Sequence, residues 1–124
     1  MFEKVAFTMY PVKDTARARA FYEGTLGLKL ESGSVEEGHL EFEAGKGTRI
    51  EVFESDSKKS DDTGATFEVK DLAKEMSELR SKGVKFEDYD LPGIKTVDGV
   101  ASMDGMKAAW FKDPGGNVIC VCEG

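Results

Sequence analysis

The first half of the chain alternates between strand-like and helix-like hydrophobic patterns. Residues 2–10 mix β-branched and aromatic side chains, which predicts a strand that Pro11 closes. Asp14 is placed to cap a helix, and Gly27 stands where a helix end favours a left-handed residue. The helix has an apolar stripe at i, i+3, i+4 and i+8: Ala18, Phe21, Tyr22 and Leu26. Three more strands are predicted near residues 28–32, 38–43 and 48–54.

The second half repeats this order. Residues 65–69 predict a strand, Asp71 caps a helix with Leu72, Met76 and Leu79 inward, and Gly83 ends that helix. Strands are predicted near residues 84–88, 107–111 and 117–122. The turn before the last strand is Asp113-Pro114-Gly115-Gly116, in which the proline fixes φ at the second position and we expect a positive φ at the third.

Short motifs recur in the same order in both halves. Val12-Lys13-Asp14 returns as Val69-Lys70-Asp71, and Gly27-Leu28-Lys29-Leu30-Glu31 returns as Gly83-Val84-Lys85-Phe86-Glu87. We therefore predict a single α+β domain of two βαβββ modules, residues 1–54 and 64–124, joined by a linker at 55–63. The second module carries an insert at 88–107. Two such modules predict a half-open cup of mixed sheet with the helices outside.

Composition narrows the class of protein. The 124 residues include 17 Lys plus Arg and 24 Asp plus Glu, a net charge of −7, which argues against a nucleic-acid partner. No apolar run is long enough for a membrane span, and Met1-Phe2-Glu3-Lys4 shows no secretion signal. Two cysteines do not make a disulfide framework. We expect a cytoplasmic protein without a membrane partner.

Two motifs carry a resemblance to a known family. The segment at residues 14–28 contains Ala18-Arg19-Ala20-Phe21-Tyr22 and Leu26-Gly27-Leu28, and the segment at 111–119 contains Phe111-Lys112-Asp113-Pro114-Gly115-Gly116-Asn117. With the paired modules, the chain resembles the vicinal oxygen chelate superfamily, which includes glyoxalases, bleomycin resistance proteins and extradiol dioxygenases. The resemblance implies the cup-shaped fold, a small-molecule ligand and, in many members, a homodimer.

The resemblance also implies where a metal would be held. The family's ligand positions, on the first and last strand of each module, fall on Phe7, Glu51, Gly64 (or Ala65 with a one-residue slip) and Cys120. Only Glu51 is a hard oxygen ligand, whereas a catalytic divalent metal needs several. We therefore expect no metal cofactor. A divalent metal is expected only if the ligands are displaced.

Candidate polar residues lie on neighbouring strands. Glu51 is predicted to face the cup, as a ligand anchor, as a general base, or as a solvated or salt-bridged residue beside Arg49. His39 lies on the strand expected to pair with that of Glu51, where it is either an acid–base partner or a surface residue. A metal bound by His39 and Glu51 would lack a third ligand.

Apolar residues are predicted to form the walls, and Phe7, Met9, Phe53 and Trp110 either line a ligand pocket or fill the space of a lost site. Cys120 and Cys122 are two residues apart and are predicted to share one face of the last strand. They are either reactive or metal-binding thiols, or simply buried side chains. The insert is predicted either to cover the pocket or to cover a dimer interface, the second through its apolar residues Leu91, Ile94, Val97 and Val100.

Three functions follow from these interpretations. The first is a metal-free binding protein, expected to be a homodimer, that holds a cationic or aromatic small molecule on Glu51, Phe7, Met9, Phe53, Trp110 and Cys120. The second is an enzyme: a metal-dependent lyase or dioxygenase with displaced ligands, or a metal-free isomerase that uses Glu51 and His39. The third is a structural or regulatory interaction domain whose pocket has filled in.

Overall fold

The computed structural model describes residues 7–56, 63–103 and 105–124. The chain divides into two compact units. Unit 1 is Met1–Lys59 with Pro114–Asn117, and unit 2 is Ser60–Asp113 with Val118–Gly124. None of the helices in the described ranges is both long enough and apolar enough to cross a membrane.

Unit 1 has the strand–helix–three-strand order that its hydrophobic pattern predicts. Strand β1 (Phe7–Val12) is followed by α1 (Thr15–Arg19), which continues as a π-helix (Ala20–Thr25), and then by β2 (Lys29–Ser34), β3 (His39–Gly45) and β4 (Thr48–Glu54). The sheet order is β1-β4-β3-β2. β1 runs parallel to β4, and the other neighbours are antiparallel.

Unit 2 repeats this arrangement with additions. Its elements are β5 (Thr63–Glu68), α2 (Leu72–Ser81), a short hairpin of β6 (Asp90–Leu91) and β7 (Ile94–Lys95), then β8 (Ala101–Met103), β9 (Met106–Lys112) and β10 (Val118–Glu123). The four-stranded sheet has the order β5-β10-β9-β8, with β5 parallel to β10. The α+β class and the repeated βαβββ order are therefore confirmed.

The helix ends follow the sequence signals in both units. Asp14 accepts a hydrogen bond from the Arg17 amide at 3.1 Å, and Asp71 accepts one from the Lys74 amide at 3.1 Å. These caps satisfy amides that have no partner within the first helical turn. Each helix is followed by a glycine with positive φ, Gly27 at 72° and Gly83 at 93°. The π-helix after α1 was not predicted.

Each helix packs on one face of its sheet. In unit 1, fully buried Tyr22 stacks on Phe42 with a ring-centroid distance of 5.5 Å. In unit 2, Phe86 meets Phe111 edge to face at 5.6 Å. Further large buried side chains on these faces are Tyr10, Val12, Leu40, Ile50, Val52, Leu72, Met76, Ile119 and Val121. The opposite face of each sheet is thereby left for other contacts.

Three local predictions are wrong. Pro11 does not close the first strand but lies within β1, which is an edge strand of its sheet and so tolerates a missing amide hydrogen. Residues 84–88 do not form a strand; only an isolated bridge joins Phe86 to Phe111. In the turn before β10 the positive φ falls on Gly116, at 91°, and not on Gly115. A type I turn with proline second favours glycine in this fourth position.

The predicted linker and insert are placed as follows. Ser55 donates its amide to the Val12 carbonyl at 2.9 Å. Residues 57–62 of the linker and residues 2–6 of the first predicted strand lie outside the described residues. The insert interrupts the strand that corresponds to β2. Phe86 and Ala101 both pair with β9, and the chain between them forms the interruption. The predicted insert bounds of 88–107 therefore also take in β8 and the start of β9.

Candidate functional site

The side of the unit 1 sheet that faces away from α1 is polar at its centre. Alternation along β4 sends Ile50 and Val52 to the helix side, so Glu51 lies on the other side. The strand register places Met9 of β1 and Glu41 of β3 on either side of Glu51. We call His39, Glu41, Arg49 and Glu51 the polar face of unit 1.

His39 and Glu51 are in direct contact. The His39 Nε2 atom and the Glu51 Oε1 atom are 2.9 Å apart, a hydrogen-bond distance. The Glu51 side chain is only 7% exposed, whereas that of His39 is 37% exposed. The proximity expected from the strand order is therefore present. The imidazole holds a buried carboxylate on one side and is open to solvent on the other, a geometry suited to binding a polar group or moving a proton.

Glu41 is a site residue that the sequence analysis missed. It lies directly opposite Glu51 in the β3–β4 register and accepts a short hydrogen bond from the Ser32 hydroxyl. That bond is the main reason why the pKa of Glu41 is lowered; a hydrogen bond with Glu51 and the charges of Arg49 and His39 act in the same direction, against desolvation. Alternation along β3 from His39 was the signal that could have found it.

Arg49 adds a positive charge to the same face. Its guanidinium carbon lies 5.4 Å from the centre of the Phe7 ring, within the range of a cation–π contact. Its Nε atom is buried and has no hydrogen-bond partner among the residues that the structure describes. The described partner of Glu51 is His39 and not Arg49, so the salt bridge considered between Arg49 and Glu51 is not the contact that holds this carboxylate.

The predicted apolar wall residues of unit 1 border the polar face. Phe7 is 39% and Met9 49% exposed, and Phe53 is partly buried opposite His39. Apolar side chains around a few converging polar groups are the usual composition of a small-molecule site. Phe7, Met9 and Phe53 lie on the same face of the sheet as Glu51.

The donor set bears on metal binding in two ways. The positions implied by the family resemblance are an aromatic ring at Phe7, a residue without a side chain at Gly64, a buried thiol at Cys120 and the carboxylate of Glu51. That set does not fit a hard divalent ion. His39, Glu41 and Glu51, by contrast, each offer a ligand atom within 4.8 Å of the others. The expectation that His39 and Glu51 lack a third ligand is wrong, because the cross-strand register supplies Glu41.

The corresponding face of unit 2 is apolar. Trp110 pairs with Cys120 in the β9–β10 register, as Glu41 pairs with Glu51 in unit 1. We call the buried cluster on this side the apolar face of unit 2: Ala101, Ala108, Trp110, Val118 and Cys120. Burial raises the pKa of the Cys120 thiol, which disfavours its thiolate form. Cys122 is half-buried and packs against the same cluster.

The insert covers this apolar face. Tyr89 meets Trp110 edge to face with ring centroids 5.6 Å apart, and Ile94 packs against the cluster. The tip of the insert is the tight turn at residues 97–100. Asp98 and Gly99 adopt positive φ there, and the Val97 amide donates to the Val100 carbonyl at 2.8 Å.

Two polar contacts attach that tip to the rest of unit 2. Arg80 donates to the Asp98 carbonyl at 3.0 Å, and the Gly99 amide donates to the Asp88 carboxylate at 3.0 Å. Leu91 and Val97 remain 56% and 68% exposed. The part of the insert nearest the sheet therefore acts as core of its own unit, while its outer residues face solvent.

The chain is similar to known proteins. A family model described as glyoxalase/bleomycin resistance protein/dioxygenase superfamily matches residues 4–121. The chain belongs to this superfamily. Its place there agrees with the βαβββ repeat and with the motifs at residues 14–28 and 111–119. No curated protein sequence matches the chain.

Solved structures of superfamily type share the fold at low sequence identity. A glyoxalase family protein from Bacillus anthracis is 18% identical with a TM-score of 0.79, covering 99% of this chain and 96% of its own. A lactoylglutathione lyase from Agrobacterium tumefaciens is 18% identical with a TM-score of 0.73, covering 100% and 96%. TnmS3, an antibiotic binding protein from a Streptomyces species, is 21% identical with a TM-score of 0.67, covering 98% and 96%.

These likenesses extend over whole chains and so establish the fold. The relatives named include both a lyase and a binding protein. Membership of the superfamily is therefore compatible with either activity, and the choice between them depends on the side chains of the site.

Proposed function

We propose that this superfamily member is a small-molecule-binding protein that holds a cationic ligand on the polar face of unit 1. The observation that carries the proposal is the buried Glu51 carboxylate, fixed by His39 at 2.9 Å and placed opposite a second carboxylate, Glu41. Two carboxylates beside each other attract a cation, and the net charge of −7 favours its approach. The name of TnmS3, an antibiotic binding protein, supports a binding role within this fold.

The apolar neighbours define the rest of the ligand. Phe7, Met9 and Phe53 border the carboxylates and suit an aromatic or aliphatic body attached to the cationic group. Trp110 and Cys120, which we also predicted as ligand contacts, lie in unit 2 beneath Tyr89. In this proposal their part is to pack unit 2, and a ligand contact with them stays a prediction.

Calorimetric titration with benzamidine, a cationic aromatic probe, and with neutral benzamide of nearly the same shape tests the proposal. We expect benzamidine to bind and benzamide not to. Glu51→Gln should weaken benzamidine binding by about tenfold or more, the value of a charge-assisted contact. Glu36→Gln, an exposed carboxylate in the turn before β3, makes the same change in net charge and should leave binding unchanged. Equal binding of both probes would contradict the proposal.

One observation favours a second candidate, a metal-dependent enzyme of the superfamily with displaced ligands. The imidazole of His39 and the carboxylates of Glu41 and Glu51 are a nitrogen–oxygen donor set that suits first-row divalent ions. These three residues would hold the ion, which would act as a Lewis acid on a bound substrate. A metal-free isomerase would instead use the contact between Glu51 and His39 for proton transfer, with no ion bound.

Elemental analysis separates these candidates. The protein is reconstituted with Mn²⁺, Ni²⁺ or Zn²⁺ and dialysed exhaustively. Retention of about one ion per chain, lost on Glu41→Gln, would favour the enzyme. Absence of retained metal supports the binding protein and leaves Glu51→Gln turnover assays to test the isomerase.

We also propose that the chain forms a homodimer in the cytoplasm. Phe7, Met9, Leu91, Val97 and Met106 are large exposed apolar side chains, and a partner chain that covers them would remove apolar surface from water. Light scattering coupled to size exclusion should give twice the mass of the chain. A single-chain mass across the concentration range would contradict this part of the proposal.

A further inference from the structure

Unit 2 contains a cavity on the helix side of its sheet, away from the apolar face. Its volume is about 750 Å³, which lies within the range of roughly 300–1,000 Å³ typical of small-molecule sites. The start of α2, the outer part of the insert and the ends of β8, β9 and β10 form its walls. None of the residues of the polar face of unit 1 lines it.

Three lysines converge on this cavity: Lys70, Lys95 and Lys107. None of their ammonium groups has an ion pair or hydrogen bond with a residue that the structure describes, although the chain carries an excess of seven negative charges. Unpaired ammonium groups that share a concave surface repel one another, and an anion placed between them relieves that repulsion.

The two carboxylates in the same cavity are already engaged. Asp71 accepts from the Lys74 amide at 3.1 Å, and Glu123 accepts from the Leu72 amide at 2.7 Å. Both therefore compensate the positive end of the helix dipole. Glu123 stands opposite Lys107 in the β9–β10 register, yet among the described residues neither Glu123 nor Asp71 forms an ion pair with a cavity lysine. The lysine ammonium groups therefore remain available to a ligand.

The cavity also offers apolar surface and a hydroxyl group. Val97 and Val100 of the insert's tip and the Leu72 side chain are among its lining residues, as is Ser102 of β8. Ser102 opposes Lys107 in the β8–β9 register, so a hydroxyl donor and an ammonium group stand side by side. A ligand that combines a negatively charged group with a small apolar body matches this lining.

We propose that this cavity is a second binding site, specific for a small organic anion. The lysines hold the charged group, Ser102 donates a hydrogen bond to it, and the valines contact the apolar part. The site is independent of the cation-binding role proposed for unit 1, because it uses a different unit and the opposite sign of charge. Its ligand and that of the polar face bind without sharing a residue.

Calorimetric titration with phenyl phosphate, with neutral benzyl alcohol as the uncharged control, tests this site. Lys95→Gln/Lys107→Gln removes two cavity charges, and Lys29→Gln/Lys85→Gln removes two exposed charges outside the cavity. We expect saturable binding of phenyl phosphate only. The cavity variant should lose about tenfold in affinity and the control variant less than about twofold, because exposed distant charges are screened.

Three results would overturn the inference: no saturable binding of phenyl phosphate at millimolar concentration, equal losses in both double variants, or equal binding of benzyl alcohol. All four lysines are exposed, so both variants should keep the melting temperature of the parent protein. Benzamidine binding should be unchanged in the cavity variant, which separates failure of this site from failure of the polar face.

Discussion

The two units of this chain share one strand arrangement but differ in the residues on the sheet face that points away from the helix. Their four-stranded sheets have the same order and the same mix of parallel and antiparallel pairs. At matching places in the central pair of strands, unit 1 has Glu41 opposite Glu51, and unit 2 has Trp110 opposite Cys120. Fold and site chemistry are therefore separable here, and the identity of a few residues decides which of these two sheet faces is polar and which is apolar.

The insert explains how unit 2 closes its face. In unit 1 the strand β2 is continuous and brings Ser32 to Glu41. In unit 2 the corresponding strand is interrupted between Phe86 and Ala101, and the inserted chain returns Tyr89 and Ile94 over the sheet. Covering an apolar face removes it from water and stabilises the unit, whereas unit 1 has no such insert, and on its polar face Glu51 is buried while Glu41 is partly exposed.

The largest expected difference between the faces is in stability. Trp110→Ala removes a buried ring from beneath Tyr89 and should lower the free energy of unfolding by about 3–5 kcal/mol. Met9→Ala on the face of unit 1 removes a side chain that is 49% exposed and should cost less than about 1 kcal/mol. Guanidinium unfolding measures both. Equal losses would mean that the face of unit 1 is packed as tightly as that of unit 2.

The same contrast predicts different cysteine reactivity within the apolar face. Burial raises the pKa of the Cys120 thiol, so little thiolate forms near neutral pH, whereas Cys122 is only half-buried. Iodoacetamide at pH 8 should alkylate Cys122 at least about tenfold faster than Cys120, as followed by peptide mass spectrometry. Unfolding in guanidinium is the control and should equalise the rates. Rapid labelling of native Cys120 would show that its face is open.

A smaller effect concerns the carboxylates of unit 1. The Ser32 hydrogen bond lowers the pKa of Glu41 below its ordinary value. Because the folded pKa is the lower one, this bond stabilises the protein above the unfolded pKa of Glu41, and the stabilisation is lost as the pH falls through the folded pKa.

Ser32→Ala should therefore raise the pKa of Glu41 towards its ordinary value and move the loss of stability to a higher pH. Carboxyl ¹³C NMR titration measures the pKa directly. Thr48→Ala, which removes a hydroxyl bonded to the Gly45 carbonyl, is the control and should leave it unchanged. An unmoved Glu41 pKa in Ser32→Ala would show that another group controls this carboxylate.

Much of this organisation was predictable from the sequence because local signals agreed. The caps at Asp14 and Asp71, the glycines that end both helices and the repeat of motifs gave the βαβββ order, and strand adjacency gave the contact between His39 and Glu51. These features depend on near neighbours in the chain or on simple pairing.

The remaining features depend on tertiary register. Glu41 joins the site because β3 and β4 pair Glu41 with Glu51 rather than with a neighbour, and alternation alone does not fix that pairing. The continuation of α1 as a π-helix and the placing of an insert inside a strand likewise depend on packing. The burial of Trp110 under Tyr89 came from the insert, whose path carried no periodic signal.

In the proposed function, the polar face of unit 1 is the surface that binds the ligand. Amide ¹⁵N–¹H correlation spectra recorded during titration with benzamidine test it most directly. We predict saturable shifts centred on His39, Glu41 and Glu51, absent with benzamide and absent in Glu51→Gln. Shifts centred on Ala108, Trp110 and Cys120 instead, or an unperturbed polar face at millimolar benzamidine, would contradict the claim.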